Sequence, residues 1–290
     1  MKLEEILAVV VSFNGGSKTV ETVNALRGQV GHVHVVDNGS EASSVSLLAG
    51  LEKHPQVTVS LLGENQGIGR ALNLGIDEAQ RRGARWLLTM DQDSVADRGM
   101  VGALRRFAEA NPDAACLTPS TRVNNASLGS REGEVAYAIT SGNLVKLDVF
   151  DRIGLYDEDM FIDCVDFDFC LRVRGAGWRI FRVGDALLHH ELGEPHRVRG
   201  PFSRFYTRHS PRRRYYMFRN FGLLAKKHVR RFPGFILKLA VSHLVLAALV
   251  PFHDERARES LAAIGEGIAD FRKGRFGRHP DVPTQRPLSD

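Results

Sequence analysis

The amino-acid sequence predicts an α/β protein with a mainly parallel, Rossmann-like β-sheet flanked by helices. Short apolar runs rich in β-branched residues, such as LAVVVSF at 7–13, end in turn-forming residues such as Asn14-Gly15-Gly16. Helix-like stretches follow these runs, and strands that alternate with helices favour a parallel sheet with right-handed crossovers. The length of 290 residues suits one large α/β domain, or one domain with an appendage.

The first half of the sequence keeps this alternation. Ser17 is a suitable N-cap for the first helix, and a glycine-rich loop leads into the third helix. In sheets of this kind, ligands bind at the carboxyl ends of the strands. We expect strands at 7–13, 32–40, 57–62, 86–94 and near 114–118, and helices at 18–28, 42–53, within 63–83 and at 98–110.

Beyond residue 120 the alternation fades. Residues 134–146 are typical of a strand and turn, 150–180 are acidic and then helical, and 181–190 form a short strand that ends in two histidines. From 212 to about 268 the sequence predicts helices rich in arginine and apolar residues. The proline-containing tail 272–290 is expected to be loose. The sequence therefore predicts a C-terminal helical extension on the α/β domain.

Positive charge is concentrated in one segment. The net charge is +5, yet the residues between Glu194 and Asp254 include thirteen Lys/Arg and no Asp/Glu, while the rest of the chain holds 26 basic and 34 acidic residues. Anionic phosphates, nucleic acid or an anionic membrane surface would each suit such a segment. The sequence has no recognisable nucleic-acid-binding motif and its remainder is acidic, so we expect no nucleic acid partner.

An apolar stretch, FILKLAVSHLVLAALVPF at 235–252, lies inside the basic segment. With Lys238 inside it, the stretch is marginal for spanning a bilayer. A helix in the plane of the membrane interface, with Arg230 and Arg231 at anionic headgroups, fits better. A helix that packs on the α/β domain or in a homodimer interface is the alternative, and the sequence leaves both open.

The cysteines and the N-terminus indicate a cytoplasmic protein. Cys116, Cys164 and Cys170 show no CxxC pairing, which is typical of reduced, buried thiols rather than metal ligands. The N-terminal MKLEEILAVVVSFNGG has acidic residues before a short apolar run, which predicts a first strand and turn and not a signal peptide. We expect a cytoplasmic location, peripheral on the inner face of the cell membrane if the apolar stretch contacts lipid.

Polar side chains follow three of the predicted strands. Asn14 follows the first strand, Asp37 the second, and Asp91 and Asp93 the fourth, in WLLTMDQDS. Unpaired carboxylates are costly to bury, so we expect them at an edge that faces water, a cation or a ligand. Two carboxylates at Asp-x-Asp spacing, together with diphosphate oxygens, suit a hard divalent cation such as Mg²⁺ or Mn²⁺. Turn formation by Asp37 and helix capping by Asp93 are the structural alternatives.

Six stretches together resemble a known family: VVVSFNGG, VVDNGS, NQGIGRALNLGI, LLTMDQDS, SGNLV and FIDCVDFDFCLRVRGAGWRI…HHELG. They occur in the order seen in inverting family-2 glycosyltransferases of the GT-A fold. The pairing of DQDS with the later RRRYYMFRN is most similar to the bacterial rhamnosyltransferases, which build cell-surface polysaccharide. The resemblance covers about residues 6–225, and it implies a GT-A catalytic domain at 1–225 with a basic, apolar helical extension at 226–290.

The resemblance implies roles for individual residues. Asp37 would hold the nucleotide base, Asp91 would lie near the ribose and the metal, and Asp93 would ligate the Mg²⁺ or Mn²⁺ ion. His190, in HELG, would complete the metal site, and Asp166, in CVDFDFCLR, would be the catalytic base. The remaining substrate-binding candidates are Asn14, Asn65, Gly67, Arg70, Asp168, Arg214, Tyr216 and Arg219, of which the last three lie in a segment implied to hold phosphates of donor or acceptor.

The sequence departs from the family pattern beside the implied base. Many members have Glu-Asp where this chain has Val165-Asp166, so Asp163 and Asp168 stay open as alternative bases. His189 likewise stays open as the metal ligand in place of His190.

The chemistry of these residue types agrees with glycosyl transfer. A nucleotide-sugar carries a diphosphate leaving group whose growing charge a metal ion can neutralise, so no general acid is needed. One carboxylate must then take the proton of the acceptor hydroxyl, and in-line attack inverts the anomeric centre. These two requirements explain two separate acidic clusters, at 91–93 and 163–168.

The function implied by the resemblance is transfer of L-rhamnose from dTDP-rhamnose to a lipid-linked or oligosaccharide acceptor at the cytosolic face of a bacterial membrane. A galactofuranosyl or hexosyl transferase using a UDP-sugar is the alternative within the class. A sugar nucleotidyltransferase should carry a Gly- and Arg-rich triphosphate loop, where this chain has only Asn14-Gly15-Gly16-Ser17-Lys18. A non-catalytic nucleotide-sugar-binding protein is the third alternative, because the glutamate before Asp166 is missing.

Overall fold

The computed structural model describes residues 1–123, 126–128, 131–190 and 209–281. Within these residues a ten-stranded sheet is flanked by helices. The strands are β1 Ile6–Ser12, β2 His32–Asp37, β3 Val57–Leu61, β4 Trp86–Asp91, β5 Ser94–Ala96, β6 Ala114–Val123, β7 Ala126–Leu128, β8 Gly133–Glu134, β9 Asn143–Lys146 and β10 Arg179–His190. The α-helices are α1 Ser17–Leu26, α2 Ala42–Leu51, α3 Ile68–Arg81, α4 Met100–Ala110, α5 Asp148–Ile153, α6 Val165–Gly175, α7 Pro211–His228, α8 Pro233–His253 and α9 Ala257–Lys273.

The strand order of the sheet is β3-β2-β1-β4-β9-β6-β10-β5, with β7 beside β6 and β8 beside β10. β1 pairs in parallel with β2 and β4, β2 pairs in parallel with β3, and β6 pairs in parallel with β10. β9 runs antiparallel between β4 and β6, so β6 and β10 point the same way as the first four strands. The expected α/β fold with a mainly parallel sheet is confirmed.

The central strand β1 is buried on both faces because its apolar residues alternate between two hydrophobic clusters. Ile6 and Val10 belong to the cluster that includes residues of α1, α2 and α4. Leu7 and Val9 belong to the cluster that includes residues of α3, α5 and α6. A continuous apolar run is therefore what a strand between two helical layers requires.

Several strands differ from the sequence-based expectation. β5, β7 and β8 are not expected from the sequence, β6 extends to Val123, and β10 begins at Arg179. β5 has only three residues and forms by antiparallel pairing with the end of β10. Such a strand depends on a partner distant in sequence, which local patterning does not reveal.

The C-terminal helices pack closely on one another. A Cβ added to Gly267 of α9 would lie 2.4 Å from the carbonyl oxygen of Tyr215 in α7, so this contact requires glycine. Ile236 of α8 is buried in the same cluster as the residues of α3 and α6. Residue 225 lies inside α7, so the proposed division into 1–225 and 226–290 cuts a continuous helix and stays a prediction.

The expectation of a loose C-terminal tail is wrong for its described part. After α9 the chain crosses back to the α/β domain. The backbone N–H of His279 donates a hydrogen bond of 2.8 Å to the Tyr216 hydroxyl, and the Arg278 guanidinium lies 2.7 Å from the Glu64 carboxylate. The remainder of the tail, residues 282–290, lies outside the described residues.

The three cysteines are buried and free, as the sequence predicts. Burial raises the pKa of the thiols of Cys116, Cys164 and Cys170, so these side chains stay protonated and act as small apolar residues.

Candidate active site

The carboxyl ends of β1, β2 and β4 meet at one edge of the sheet, because the three strands are parallel neighbours. Ser12 is in register with Asp37, and Val11 with Asp91. A cavity of about 680 Å³ opens at this edge. The sequence-predicted residues that line it are Asn65, Gly67, Asp91, Asp93, Asp166 and His190, together with Asp163, the alternative base. The structure thus gathers half of the candidates from distant parts of the chain.

Asp91 and Asp93 form a pair of carboxylates in the cavity. Burial raises the pKa of Asp91 to about 7, and the negative charge of Asp93 acts in the same direction, while Arg213 opposes it. A cation bound between a buried carboxylate and its negatively charged neighbour stabilises the ionised form of both. Their oxygens are the ligand type that Mg²⁺ and Mn²⁺ prefer, so the pair suits a divalent metal.

His190 reaches the carboxylate pair because β5 and β10 pair in antiparallel register, which sets Ser94 opposite His190. Nδ1 of His190 is hydrogen-bonded to Ser94 Oγ at 2.7 Å and lies 3.6 Å from Asp93 Oδ1. The contact with Ser94 occupies Nδ1 and leaves Nε2 as a ligand atom. His189 points to the opposite face of the strand, 3.7 Å from Asp97. Of the two histidines that the sequence leaves open as the metal ligand, His190 is therefore the one that lines the cavity.

Sequence reasoning misses Gln92, the residue between the two aspartates. Its Oε1 accepts a hydrogen bond of 2.6 Å from the backbone N–H of Phe13, and its Nε2 donates one of 3.2 Å to the carbonyl oxygen of Phe13. Thr22 Oγ1 donates to the backbone oxygen of Gln92 at 2.9 Å. A side-chain amide both donates and accepts, so Gln92 ties the turn that carries both carboxylates to the end of β1.

The glycine-rich loop before α3 packs against the turn before α6. Gly67 has a φ of +90°, and its N–H donates to Asn65 Oδ1 at 3.0 Å. The next residue, Ile68, donates its N–H to the carbonyl oxygen of Phe161 at 2.8 Å. A Cβ at Gly67 would lie 2.7 Å from that same oxygen. Only glycine fits both the backbone conformation and the close approach.

Replacing Gly67 by alanine is expected to lower the free energy of unfolding by about 2 kcal/mol more than replacing Gly63 by alanine. Gly63 is the matched control, since it has a φ of +72° in the same loop but open space around the added Cβ. Urea-induced unfolding compares the two variants. Equal losses would show that the contact with Phe161 does not constrain the loop.

The turn before α6 contains three non-glycine residues in the left-handed region. The φ angles of Phe161, Asp163 and Cys164 are +60°, +64° and +66°. Such residues carry a conformational cost, and they cluster at functional sites. The ion pair of Asp163 Oδ1 with Arg213 Nη2, 3.0 Å long, ties this turn to α7. The turn thereby fixes the start of α6 at the wall of the cavity.

Asp166 lies in the first turn of α6 and lines the cavity. Burial raises its pKa to about 6, and the charges of Asp163 and Asp91 act in the same direction. A hydrogen bond of 2.8 Å from the backbone N–H of Phe167 opposes this shift. Asp166 is therefore a carboxylate of raised basicity at the surface of the cavity.

Asp168 does not reach the cavity, and its expected role in substrate binding or as an alternative base needs correction. Its side chain is fully buried and is surrounded by Arg172, Lys227 and His228 at 2.7, 2.5 and 2.8 Å. Burial by itself would raise the pKa of Asp168, but the hydrogen bond from His228 and the charges of Arg172 and Lys227 hold the pKa well below its usual range. Asp168 joins α6 to the end of α7.

The expected phosphate contacts of Arg214, Tyr216 and Arg219 are also wrong. All three side chains are at most 2% exposed. The Arg214 guanidinium lies 3.0 Å from the Asp254 carboxylate, and Arg219 donates to the backbone oxygen of Asp159 at 2.9 Å. The Tyr216 hydroxyl accepts from the described part of the C-terminal tail. These side chains hold α7 in place.

Another face of α7 reaches the cavity. Arg213 and Met217 line it, and residues four apart share one helix face. Sequence reasoning misses Arg213 because three consecutive arginines offer no indication of the helical phase. From α8, His243 also lines the cavity and stacks on Phe221 with ring centroids 4.6 Å apart.

Asp37, Asn14 and Arg70 lie outside the cavity lining. The Asp37 side chain is buried, and its carboxylate accepts hydrogen bonds from both the backbone N–H and the hydroxyl of Ser40. Asn14 donates its backbone N–H to Ser40 Oγ at 2.8 Å, and Arg70 Nη1 lies 3.7 Å from the Glu158 carboxylate. Asp37 therefore stabilises the turn at 37–40, which is the structural alternative that the sequence left open. Contact of Asp37, Asn14 or Arg70 with a nucleotide stays a prediction.

A mainly parallel sheet with an acidic cavity at its carboxyl edge is the arrangement of the GT-A fold, and solved structures of glycosyltransferases share this fold. The crystal structure of GalNAc-T7 with UDP, GalNAc and Mn²⁺ matches 92% of this chain with a TM-score of 0.64 at 12% identity; this chain spans 56% of that one. The mannosyltransferase PcManGT from Pyrobaculum calidifontis, in complex with GDP-Man and Mn²⁺, matches 93% of this chain and 75% of its own with a TM-score of 0.60 at 15% identity.

The chain belongs to glycosyl transferase family 2. The model of that family matches residues 7–154. The chain is also 32% identical over 249 residues to the dTDP-rhamnosyl transferase RfbF of Shigella flexneri, and the alignment covers 77% of this chain and 81% of that protein. The resemblance inferred from the motifs, including its rhamnosyltransferase branch, is confirmed.

Proposed function

We propose that the protein is an inverting, metal-dependent glycosyltransferase that moves L-rhamnose from dTDP-rhamnose to a lipid-linked or oligosaccharide acceptor in cell-surface polysaccharide synthesis. The observation that carries this proposal is one cavity lined both by the Asp91–Asp93 pair and by Asp166. A donor diphosphate and a proton acceptor must approach the same sugar in the transition state. Two acidic clusters on one cavity satisfy this requirement.

Asp166 is the proposed base. A carboxyl whose pKa is raised to about 6 is mostly ionised at pH 7 and yet basic enough to take a hydroxyl proton. Asp163 is held by Arg213, and Asp168 is buried between Arg172, Lys227 and the His228 ring, so neither alternative suits proton transfer. With a single base and direct attack on the anomeric carbon, the product has the inverted configuration.

Asp91, Asp93 and His190 are the proposed ligands of the metal. Two carboxylates and an imidazole are donors that Mg²⁺ or Mn²⁺ can accept beside substrate phosphates. When bound, the ion would stabilise the negative charge of the leaving diphosphate. Arg213 is 48% exposed, and its Nε and Nη2 donate to Asp163, so its Nη1 can offer N–H donors to phosphate oxygens in place of the buried Arg214 and Arg219.

The proposed donor rests on the similarity to a protein named as a dTDP-rhamnosyl transferase. UDP-sugars are the alternative donors. We further propose a cytoplasmic location at the inner face of the membrane, where a lipid-linked acceptor is available. Pyrophosphate release would instead indicate a nucleotidyltransferase, and donor binding without turnover would indicate a non-catalytic protein.

Replacing Asp93 by alanine is expected to lower metal-dependent nucleotide release about a hundred-fold, because the diphosphate loses the charge compensation of the ion. The assay measures release from a panel of dTDP- and UDP-sugars with Mg²⁺, Mn²⁺ or neither, and needs no acceptor. Asp97→Ala is the matched control, since Asp97 is a half-exposed carboxylate four residues away that pairs with His189. We expect dTDP-rhamnose to give the fastest release and Asp97→Ala to leave it unchanged.

Two results would contradict the proposal. Release that is independent of metal, or that survives in Asp93→Ala, would remove the metal from the Asp91–Asp93 pair. Faster release from a UDP-sugar than from dTDP-rhamnose would keep the transferase but change its donor.

A further inference from the structure

Helix α8 exposes a continuous apolar face. Among the described residues it is the one helix that is long and apolar enough to cross a membrane. Only 17% of its most apolar 18-residue stretch is buried inside the protein. The exposed side chains recur every three to four residues and therefore lie on one side of the helix. They are Leu237 (65% exposed), Val241 (52%), Leu244 (69%), Val245 (40%) and Phe252 (80%). We call these five residues the α8 face.

The opposite side of α8 is fixed to the protein. Ile236 is buried in the core cluster, and Leu246 and Val250 are buried with Phe218 of α7 and Ile264 of α9. The contacts run from the first turn of the helix to its last. A helix attached along its whole length cannot insert across a bilayer without losing this packing. Its exposed face can only lie along a surface.

Exposed positive charge flanks the α8 face at its N-terminal end. The turn between α7 and α8 contains Arg230 and Arg231, and both are exposed. Lys226, in the last turn of α7, is also exposed. Residues 209–253 contain no Asp or Glu. An apolar stripe beside lysine and arginine is the pattern of a helix that rests on anionic lipid.

The charge distribution favours lipid over a second copy of the chain. A two-fold dimer through the α8 face would bury its five apolar side chains against their copies, but residues 209–253 of the second copy contain no acidic partner for Lys226, Arg230 and Arg231. Anionic headgroups would neutralise them instead, while the acyl region would receive the apolar side chains.

We propose that the α8 face and its basic turn dock on an anionic membrane surface, with α8 in the plane of the interface. The proposal deepens the function proposed above and rests on it for its purpose, since a lipid-linked acceptor would be held at the same surface. His243 lies on the protein-facing side of α8 and lines the active-site cavity. One helix therefore joins the docking face to the place where the acceptor must react.

The test is flotation of the full chain with vesicles of phosphatidylcholine, with and without phosphatidylglycerol. We expect binding to the anionic vesicles, and a loss of about a hundred-fold in partition coefficient for the Leu237→Ser/Leu244→Ser double variant. Replacing Lys226 and Arg230 by glutamine should lower binding about five-fold for each charge removed. Leu47→Ser/Leu61→Ser is the matched control, because these two leucines are 48% and 56% exposed elsewhere on the surface, and binding should be unchanged.

Each other outcome overturns the proposal. The first is no binding to anionic vesicles, and the second is equal binding by the Leu237→Ser/Leu244→Ser variant. The third is a protein that binds no vesicles but forms a dimer in light scattering, with the dimer lost in this variant. That result would assign the face to a second copy. Nucleotide release in solution should be the same for the variant and the wild type. Absent release with intact vesicle binding would therefore refute the proposed function and leave the docking face standing.

Discussion

Replacing Asp166 by asparagine is expected to lower the turnover rate by roughly a thousand-fold, within the range that a positioned general base contributes. Asparagine has nearly the same shape and can still accept the 2.8 Å hydrogen bond from the Phe167 backbone, but it cannot take a proton. The rate is measured as nucleotide release from the preferred donor at saturating metal. The dissociation constant of the nucleotide is measured alongside and should stay unchanged.

The rate of the wild-type protein should depend on pH through the same side chain. The base acts only when ionised, and burial raises the pKa of Asp166 to about 6. The rate should therefore rise with pH, level off above about 6, and fall about ten-fold per pH unit below it. Stability changes in the opposite sense: a carboxyl with a raised folded-state pKa stabilises the fold through its proton, and that contribution is lost as the pH rises from about 4 to about 6.

Asp163→Asn tests the assignment of the base against Asp163, the other aspartate of 163–168 that lines the cavity. If it lowers the rate more than Asp166→Asn does, and if the drop in rate near pH 6 persists in Asp166→Asn, the base is Asp163. If the nucleotide no longer binds to Asp166→Asn, the side chain serves the donor rather than the proton transfer.

The sheet and its ligand-binding edge are predictable because their determinants are local. Apolar runs of β-branched residues specify buried strands, and parallel strands bring their carboxyl ends together whatever the loops do. Asp91 and Asp93 could be placed at this edge from their position after a strand alone. Asp166 needed the family resemblance, since residue spacing does not distinguish the three aspartates in 163–168, of which Asp163 and Asp166 both line the cavity.

The errors concern side chains whose environment is set by distant partners. Arg213 and Arg214 are indistinguishable in sequence. The orientation of α7, which packs against α9, leaves Arg213 half-exposed and buries Arg214. In sequence, Asp168 is typical of a solvent-exposed carboxylate in the first turn of a helix. In the structure, Lys227 and His228 of α7 contact it and bury it. The role of Gln92 depends on its hydrogen bonds to the backbone of Phe13, which form only because β1 lies beside β4 in the sheet. Such contacts are long-range, so no local pattern carries them.

Replacing Asp168 by asparagine is expected to lower the free energy of unfolding by about 3 kcal/mol at pH 7, because Arg172 and Lys227 lose the carboxylate that compensates their charges. The expectation lies at the lower end of the range for breaking a buried pair, since the Lys227 side chain is 30% exposed. Urea-induced unfolding gives the difference. Because the folded-state pKa of Asp168 is lowered, its contribution is present at neutral pH, and the two proteins should converge as the pH falls below about 4.

Asp166→Asn is the matched control for this measurement, since both aspartates lie in the first turn of α6 and interact similarly with its helix dipole. If only the interaction with the helix dipole were lost, the free energy of unfolding of both variants would fall by the same small amount. Asp166→Asn should be at least as stable as the wild type at pH 7, because it removes a carboxylate that burial disfavours, and should be inactive. Asp168→Asn should keep its turnover rate wherever it is folded. The reverse pattern would mean that the Asp168 carboxylate, and not that of Asp166, belongs to the reaction.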